Sequence, residues 1–195
     1  MATARPFENT PSAPTPKTIN GVDTEALGAT IDAITADPSI AGFQFRLVNR
    51  WIDGGHNRSV IKGFYGAGEE DATRTEPFVL DSGEPPVLLG TDTGPNPVEY
   101  LQHALIGCLT TSIVYHAAAR GIAVRSLTSE VEGEVDLRGF LGLADDVPKG
   151  YKELRVKFRA ESDGDAETLR ECASFSPVYN TLGKSVPVKL EIETV

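Results

Sequence analysis

Apolar residues recur at helical spacing at Leu27, Ile31 and Ile34, Thr24 can cap the run and Asp37-Pro38 stops it, which predicts a short amphipathic helix over 24–36. Phe43, Phe45, Leu47 and Trp51 then occupy alternate positions, Asp53-Gly54-Gly55 punctuates, and residues 60–65 resume an extended pattern. Two such runs about a turn predict a β-hairpin, with Phe78-Val79-Leu80 as a third strand and a Pro- and Gly-rich loop over 82–97. Asn96-Pro97-Val98-Glu99 opens the strongest element: Asn96 suits the N-cap, Pro97 the first helical position, and Glu99 the acid of a capping box. The helix should run to Arg120 with Gly121 as its C-terminal cap, a length of about 36 Å at about 1.5 Å per residue.

Between Ala104 and Ala119 apolar residues lie around nearly the whole circumference of that helix, interrupted by Thr110, Thr111, Ser112 and His116. The run is shorter than the roughly 20 residues of a membrane span, so it reads as a buried central helix. One small domain cannot cover it on every side, and part of its surface is expected to pack against a second copy of the chain. Beyond Gly121 the pattern predicts a strand over 124–135, a Gly-rich segment over 137–143, and a half-buried strand in which Leu154, Val156 and Phe158 alternate with Arg155, Lys157 and Arg159. A helix over 166–173, ended or bent by Ser176-Pro177, and a last strand over 186–192 complete an α+β pattern.

Length and composition narrow the class. The chain has 195 residues, 40% of them hydrophobic and 24% charged, which suits one folded domain; we expect it over 23–195 with its core from about residue 41. Residues 1–22 carry Pro6, Pro11, Pro14 and Pro16 without apolar period and read as a flexible leader. A net charge of −10 argues against nucleic acid and anionic membranes as partners. Two cysteines and the lack of a signal-peptide pattern point to the cytoplasm.

No phosphate-binding Gly-Lys-Ser/Thr follows the Gly-rich loop, no Gly-x-Gly-x-x-Gly follows a strand, and His56, His103 and His116 are scattered, so neither a nucleotide cofactor nor a metal is expected. Cys108, in Gly107-Cys108-Leu109-Thr110-Thr111-Ser112, is the residue with chemistry to offer. A free cysteine in a buried helix ordinarily serves as a small hydrophobe. To act as a nucleophile it needs a thiolate stabilised by a cation or donor, and its own helix supplies none: His116 lies about 80° round and about 12 Å along the axis. Any activating cation must come from another element or another subunit. Tyr115 and His116 on the helix, and Arg138 and Phe140 in the Gly-rich segment, are weaker candidates that serve equally as core or lid residues.

The run Asn96-Pro97-Val98-Glu99-Tyr100-Leu101 through Ala104 to Gly107-Cys108, followed by a second helix ending in Ser176-Pro177-Val178-Tyr179-Asn180-Thr181-Leu182, resembles the OsmC/Ohr family of cysteine-based hydroperoxide reductases, in order over roughly residues 43–195. The resemblance implies an intertwined homodimer, antiparallel β-sheets wrapped around long central helices, and peroxide chemistry without metal or organic cofactor. It assigns Cys108 as the peroxidatic cysteine, whose thiolate attacks the O–O bond and becomes sulfenic acid. It assigns the activating arginine to Arg58, with Arg50 as the rival position; a guanidinium would stabilise both thiolate and developing alkoxide.

Two positions depart from the family pattern. The acid that holds the arginine directly follows the helix-starting proline in the family, whereas that position is Val98 here and the acid is Glu99, about 180° round the helix from Cys108 and suited to capping. The resolving cysteine expected immediately before Pro177 is Ser176. Cys172, one turn earlier, can substitute only if the Cα atoms come within roughly 4.4 to 6.8 Å; otherwise a low-molecular-weight or dihydrolipoyl thiol must restore Cys108 directly. An acyl-transfer role for Cys108 lacks a placed His or acid. The non-enzymatic alternative is a binding module that holds a small hydrophobic ligand at the dimer interface, with Cys108 lining the wall.

Overall fold

The computed structural model describes residues 17–194, so residues 1–16 of the expected leader lie outside the described residues. The leader's remainder is ordered. Thr18–Ile19 (β1) and Val22–Asp23 (β2) form a two-stranded hairpin around Asn20 and Gly21, both at positive φ. The Asn20 side chain donates to the Ile122 carbonyl at 3.0 Å and accepts from the Val124 amide at 2.7 Å, pinning this segment to the corner after the long helix. A short amide here satisfies backbone groups that the end of a helix leaves open, which the proline-rich composition upstream conceals.

Helix α1 spans Thr24–Ala36, with Asp23 rather than Thr24 at its N-cap. The expected hairpin is there but broken into two sheets. Gln44–Phe45 (β3), Val48–Asp53 (β4), His56–Ile61 (β5), Phe64–Gly66 (β6), Glu69–Asp71 (β7) and Phe78–Ser82 (β8) form one sheet in the order β3-β6-β7 and another in the order β4-β5-β8, all pairs antiparallel. In the second sheet Val48, Val60 and Val79 are cross-strand neighbours, and Arg50, Arg58 and Asp81 form the adjacent row. Positions two apart share a face, so the valine row and the charged row lie on one side of this sheet.

Helix α2, Pro97–Ala119, has the capping box expected of Asn96 and Glu99 and ends before Gly121 at φ 74°. Strand β9 (Val124–Val135) follows, then a short helix, Leu137–Phe140 (α3), where a Gly-rich loop was expected, and β10 (Tyr151–Ser162). Helix α4 is Ala166–Ala173. Ser176-Pro177 does not end a helix but begins a new one, α5 (Pro177–Leu182), because the Ser176 hydroxyl accepts from the Tyr179 amide and proline suits the first turn. The chain closes in β11 (Val188–Thr194), which pairs with β10 in parallel, an exception to the otherwise antiparallel sheets; α4 and α5 make the crossover that such pairing requires.

The core lies between α2 and the β9-β10-β11 sheet, where Leu105, Leu109, Ile113, Leu154, Phe158, Leu169 and Ile192 pack together. The outer face of that sheet is an ion-pair lattice: Arg155 meets Glu132, Glu134 and Glu153, and Lys157 meets Glu193. The β4-β5-β8 sheet contributes no residue to this core, and Val48 is 73% exposed, Trp51 68% and Val79 52%.

Candidate functional site

Cys108 sits in mid-α2 at the shoulder of its buried stripe. Leu105, Leu109, Ser112 and Ile113 face the core, and Cys108, about 40° from Ser112, is half-buried with a free thiol. Beside it runs an uncovered strip of α2: Ala104, Gly107 and Thr111 are exposed, a Cβ added at Gly107 would meet open space, and Tyr115 is exposed on the same line. Small residues on an open helix face leave the backbone approachable by a closely packed partner.

Arg58 belongs to a separate constellation at the other end of the sheet-to-helix path. Directly opposite Asp81 in the β5-β8 register, it donates from Nε to Asp81 Oδ1 at 2.9 Å and from Nη2 to Oδ2 at 3.0 Å. His56, two residues before Arg58 and therefore on the same face, places Nε2 2.8 Å from the same Oδ1. Hydrogen bonding from Arg58 first, and from His56 second, holds the Asp81 carboxyl down at about 2. The Asp81 carbonyl accepts from the Tyr100 hydroxyl at 2.7 Å, which ties this cluster to the first turn of α2. A Cβ at Gly94 would stand 2.2 Å from that same carbonyl oxygen, so only glycine lets the loop before α2 cross here.

Among the described residues, no hydrogen bond or ion pair joins Cys108, Arg58, Cys172 and Glu99 to one another. Glu99 accepts from the Asn96 amide at 2.8 Å and serves the capping box; the carboxylate that holds Arg58 is Asp81. Tyr100, the residue that anchors the Arg58 cluster, precedes Cys108 by eight positions, about 12 Å along the helix axis. Arg50 stands directly opposite Arg58 on the neighbouring strand, on the same face, and is exposed. Cys172 is fully buried on α4, where burial pushes its thiol up while Arg120, at the C-terminal end of α2, pulls it down. Arg120 also pairs with Glu171 at 2.8 Å, so Cys172 keeps company with the end of α2 that lies about three turns beyond Cys108. Ser176 is fully buried as the α5 N-cap.

Of the weaker candidates, His116 stacks on Phe175 with ring centroids 4.1 Å apart, and burial, then Arg120, lowers its pKa. Arg138 is committed to Asp136, and Phe140 is exposed. Sequence reasoning missed Asp81, His56 and Tyr100. The alternation His56-x-Arg58 was there to read, but the acid that joins it comes from a strand whose register no local pattern specifies. Among the described residues no cluster of His, Cys, Asp and Glu could hold a metal ion, and no helix is long and apolar enough to cross a membrane.

The family model for OsmC-like proteins matches residues 90–191, just over half of the chain, and takes in α2, Cys108, the three later helices and most of the core sheet. The chain belongs to the OsmC-like family. Solved OsmC-like structures agree in fold. An OsmC-like protein from Mycoplasma pneumoniae is 16% identical and superposes at a TM-score of 0.57, covering 78% of this chain and 96% of its own. An organic hydroperoxide resistance protein OsmC from Legionella pneumophila gives 0.51 at 16% identity over 76% and 97%. An organic hydroperoxide resistance protein from Elizabethkingia anophelis gives 0.54 at 14% identity over 77% and 97%. No curated protein is similar enough in sequence to match. At these identities the likeness carries the OsmC-like fold, and the chemistry rests on this chain's own residues.

Proposed function

We propose that this OsmC-like protein is a cytoplasmic, homodimeric, thiol-dependent reductase of organic hydroperoxides, with Cys108 as its nucleophile and Arg58 of the second protomer as its activator. The observation that carries the reading is that the chain presents both a half-exposed free thiol, beside an exposed strip of α2, and a guanidinium already oriented by Asp81 on the apolar side of an exposed sheet. The Arg58 cluster is anchored at the first turn of α2, about 12 Å along its axis from Cys108, which favours an arginine supplied by a second copy that covers both faces. Covering the exposed valine row and the open strip of α2 supplies the apolar contact for that association.

The chemistry then balances simply. The Cys108 thiolate attacks the distal oxygen of ROOH, the O–O bond breaks, and the electron pair leaves on the alkoxide, which Arg58 stabilises until it takes a proton from solvent as ROH. Cys108 becomes a sulfenic acid. Two equivalents of an external low-molecular-weight or dihydrolipoyl thiol return it to the thiol, releasing water and a disulfide of the reductant. The buried setting of Cys172 beside Arg120 favours this external route over an internal Cys108-Cys172 bridge.

Mass spectrometry of wild type, Cys108→Ser and Cys172→Ala after a near-stoichiometric pulse of cumene hydroperoxide, with a sulfenic-acid trap present, tests this. The expected result is a trapped adduct on Cys108 in wild type and Cys172→Ala, and none in Cys108→Ser. The second reading, a binding module with Cys108 lining its wall, is favoured by the separation of Arg58 and Cys108 within a protomer; an unmodified, folded, dimeric wild type would establish it at the expense of the first.

A further inference from the structure

Asp81 carries more than Arg58. Its carboxylate is only an acceptor when ionised, so the third hydrogen bond, from His56 Nε2 to Oδ1, requires the imidazole to present a proton at Nε2. Arg58 Nε donates to that same oxygen, while Nη2 takes Oδ2. A carboxylate held only by a guanidinium fork still swings about its Cβ–Cγ bond together with the fork. A third donor on one oxygen, rooted in the backbone of the same strand as the arginine, removes that freedom. The Asp81 backbone is itself fixed on two sides, by strand pairing with Arg58 and by the Tyr100 hydroxyl.

We infer that His56 is a positioning residue for Arg58, acting through Asp81, so that the aim of the guanidinium follows the presence of the His56 N–H. This inference rests on the peroxide-reducing role of Arg58 proposed above. His56 also lines a cleft together with Gly54, Leu89 and Thr93. Asp53, which pairs with His56 across the β4-β5 turn, and Glu84 from the loop after β8 are the other charged groups lining that cleft; Arg58 and Asp81 complete the charged surroundings.

The test compares His56→Leu, which removes the donor, with His56→Gln, whose amide N–H can occupy the place of Nε2 without titrating. Two readouts are followed in the full-length protein: the rate of Cys108 oxidation by cumene hydroperoxide, and the solvent exchange of the Arg58 Nε–H in nitrogen-15 spectra, assigned by its loss in Arg58→Lys. His56→Leu should slow oxidation by about tenfold or more, the scale on which misplacing a reacting group by an ångström operates, and should speed Nε–H exchange. His56→Gln, whose N–H stands in for Nε2, should restore both. If His56→Leu leaves rate and exchange unchanged, or His56→Gln falls as far as His56→Leu while folded, His56 does not position Arg58. If His56→Leu fails to fold, His56→Ala, which also lacks the donor, takes its place in both readouts. If wild-type Cys108 does not react with hydroperoxide, the proposed function falls, and Nε–H exchange alone still decides whether His56 holds Arg58.

Discussion

Asp81 shows how one side chain takes on a role that sequence spacing assigns elsewhere. Glu99 follows the helix-starting motif, yet its carboxylate closes the capping box, and Arg58 turns to the residue opposite it in the sheet. A bidentate, charge-assisted pair directs the guanidinium more firmly than a flexible acid one turn into a helix can. The consequence is testable in acid. Asp81 is held at about 2 by Arg58 and His56, below the roughly 3.9 of an unfolded carboxyl. Its contribution to stability is therefore complete above the unfolded value and is lost as pH falls through the folded one. Thermal unfolding of Asp81→Asn should show a lower midpoint than wild type at neutral pH, with the gap closing between about pH 4 and pH 2. A gap that persists unchanged at pH 2 would mean that the carboxylate is not the group responsible.

At the scale of elements, two helix starts do most to place the site. Asn96, with its side chain on the Val98 amide and the Glu99 carboxylate on its own amide, fixes where α2 begins and hence where Tyr100 and Cys108 fall along it. Ser176 does the same for α5 from a fully buried position. A hydroxyl is a better acceptor for this cap than the thiol of a cysteine would be. Asn96→Ala and Ser176→Ala should each lower unfolding free energy by about 1 kcal/mol in urea titrations. Only Asn96→Ala should also slow Cys108 oxidation, because it alone loosens the helix that carries the thiol. Equal effects of both on the oxidation rate would show that the α2 cap does not govern the site.

The whole molecule is asymmetric in how well it covers itself. One half has a core between α2 and the β9-β10-β11 sheet, with ion pairs on the outer face; the other half presents Val48, Val60 and Val79 in a partly exposed row next to Arg58, with no layer above them among the described residues. Such a row beside a charged pair is an interface pattern, apolar at its centre with arginine at its margin. Sedimentation equilibrium should find a dimer for wild type, and Val79→Glu should raise its dissociation constant by about a hundredfold or more, since an unpaired carboxylate is costly to bury. If Val79→Glu stays as tightly dimeric as wild type, this face is not where the copies meet, and Arg58 needs another route to Cys108.

The amino-acid sequence by itself determined the elements whose causes are local. The caps, the proline and the apolar circumference of α2 are written at consecutive positions, as are the alternations of β9 and β10 and the run of α4, because a few neighbouring residues set helix starts and strand faces. The cysteine worth attention was legible for the same reason. Only the tertiary structure decided what depends on register and docking: that Asn20 pins the end of the leader, that Ser176 opens α5, that β11 joins β10 in parallel, and that Cys172 lies by Arg120. The joining of His56, Arg58, Asp81 and Tyr100 is of this kind as well. Their separation of up to 44 positions along the chain is closed by strand pairing and helix packing, which are paid for by burial across the fold and leave no periodic trace in any one segment.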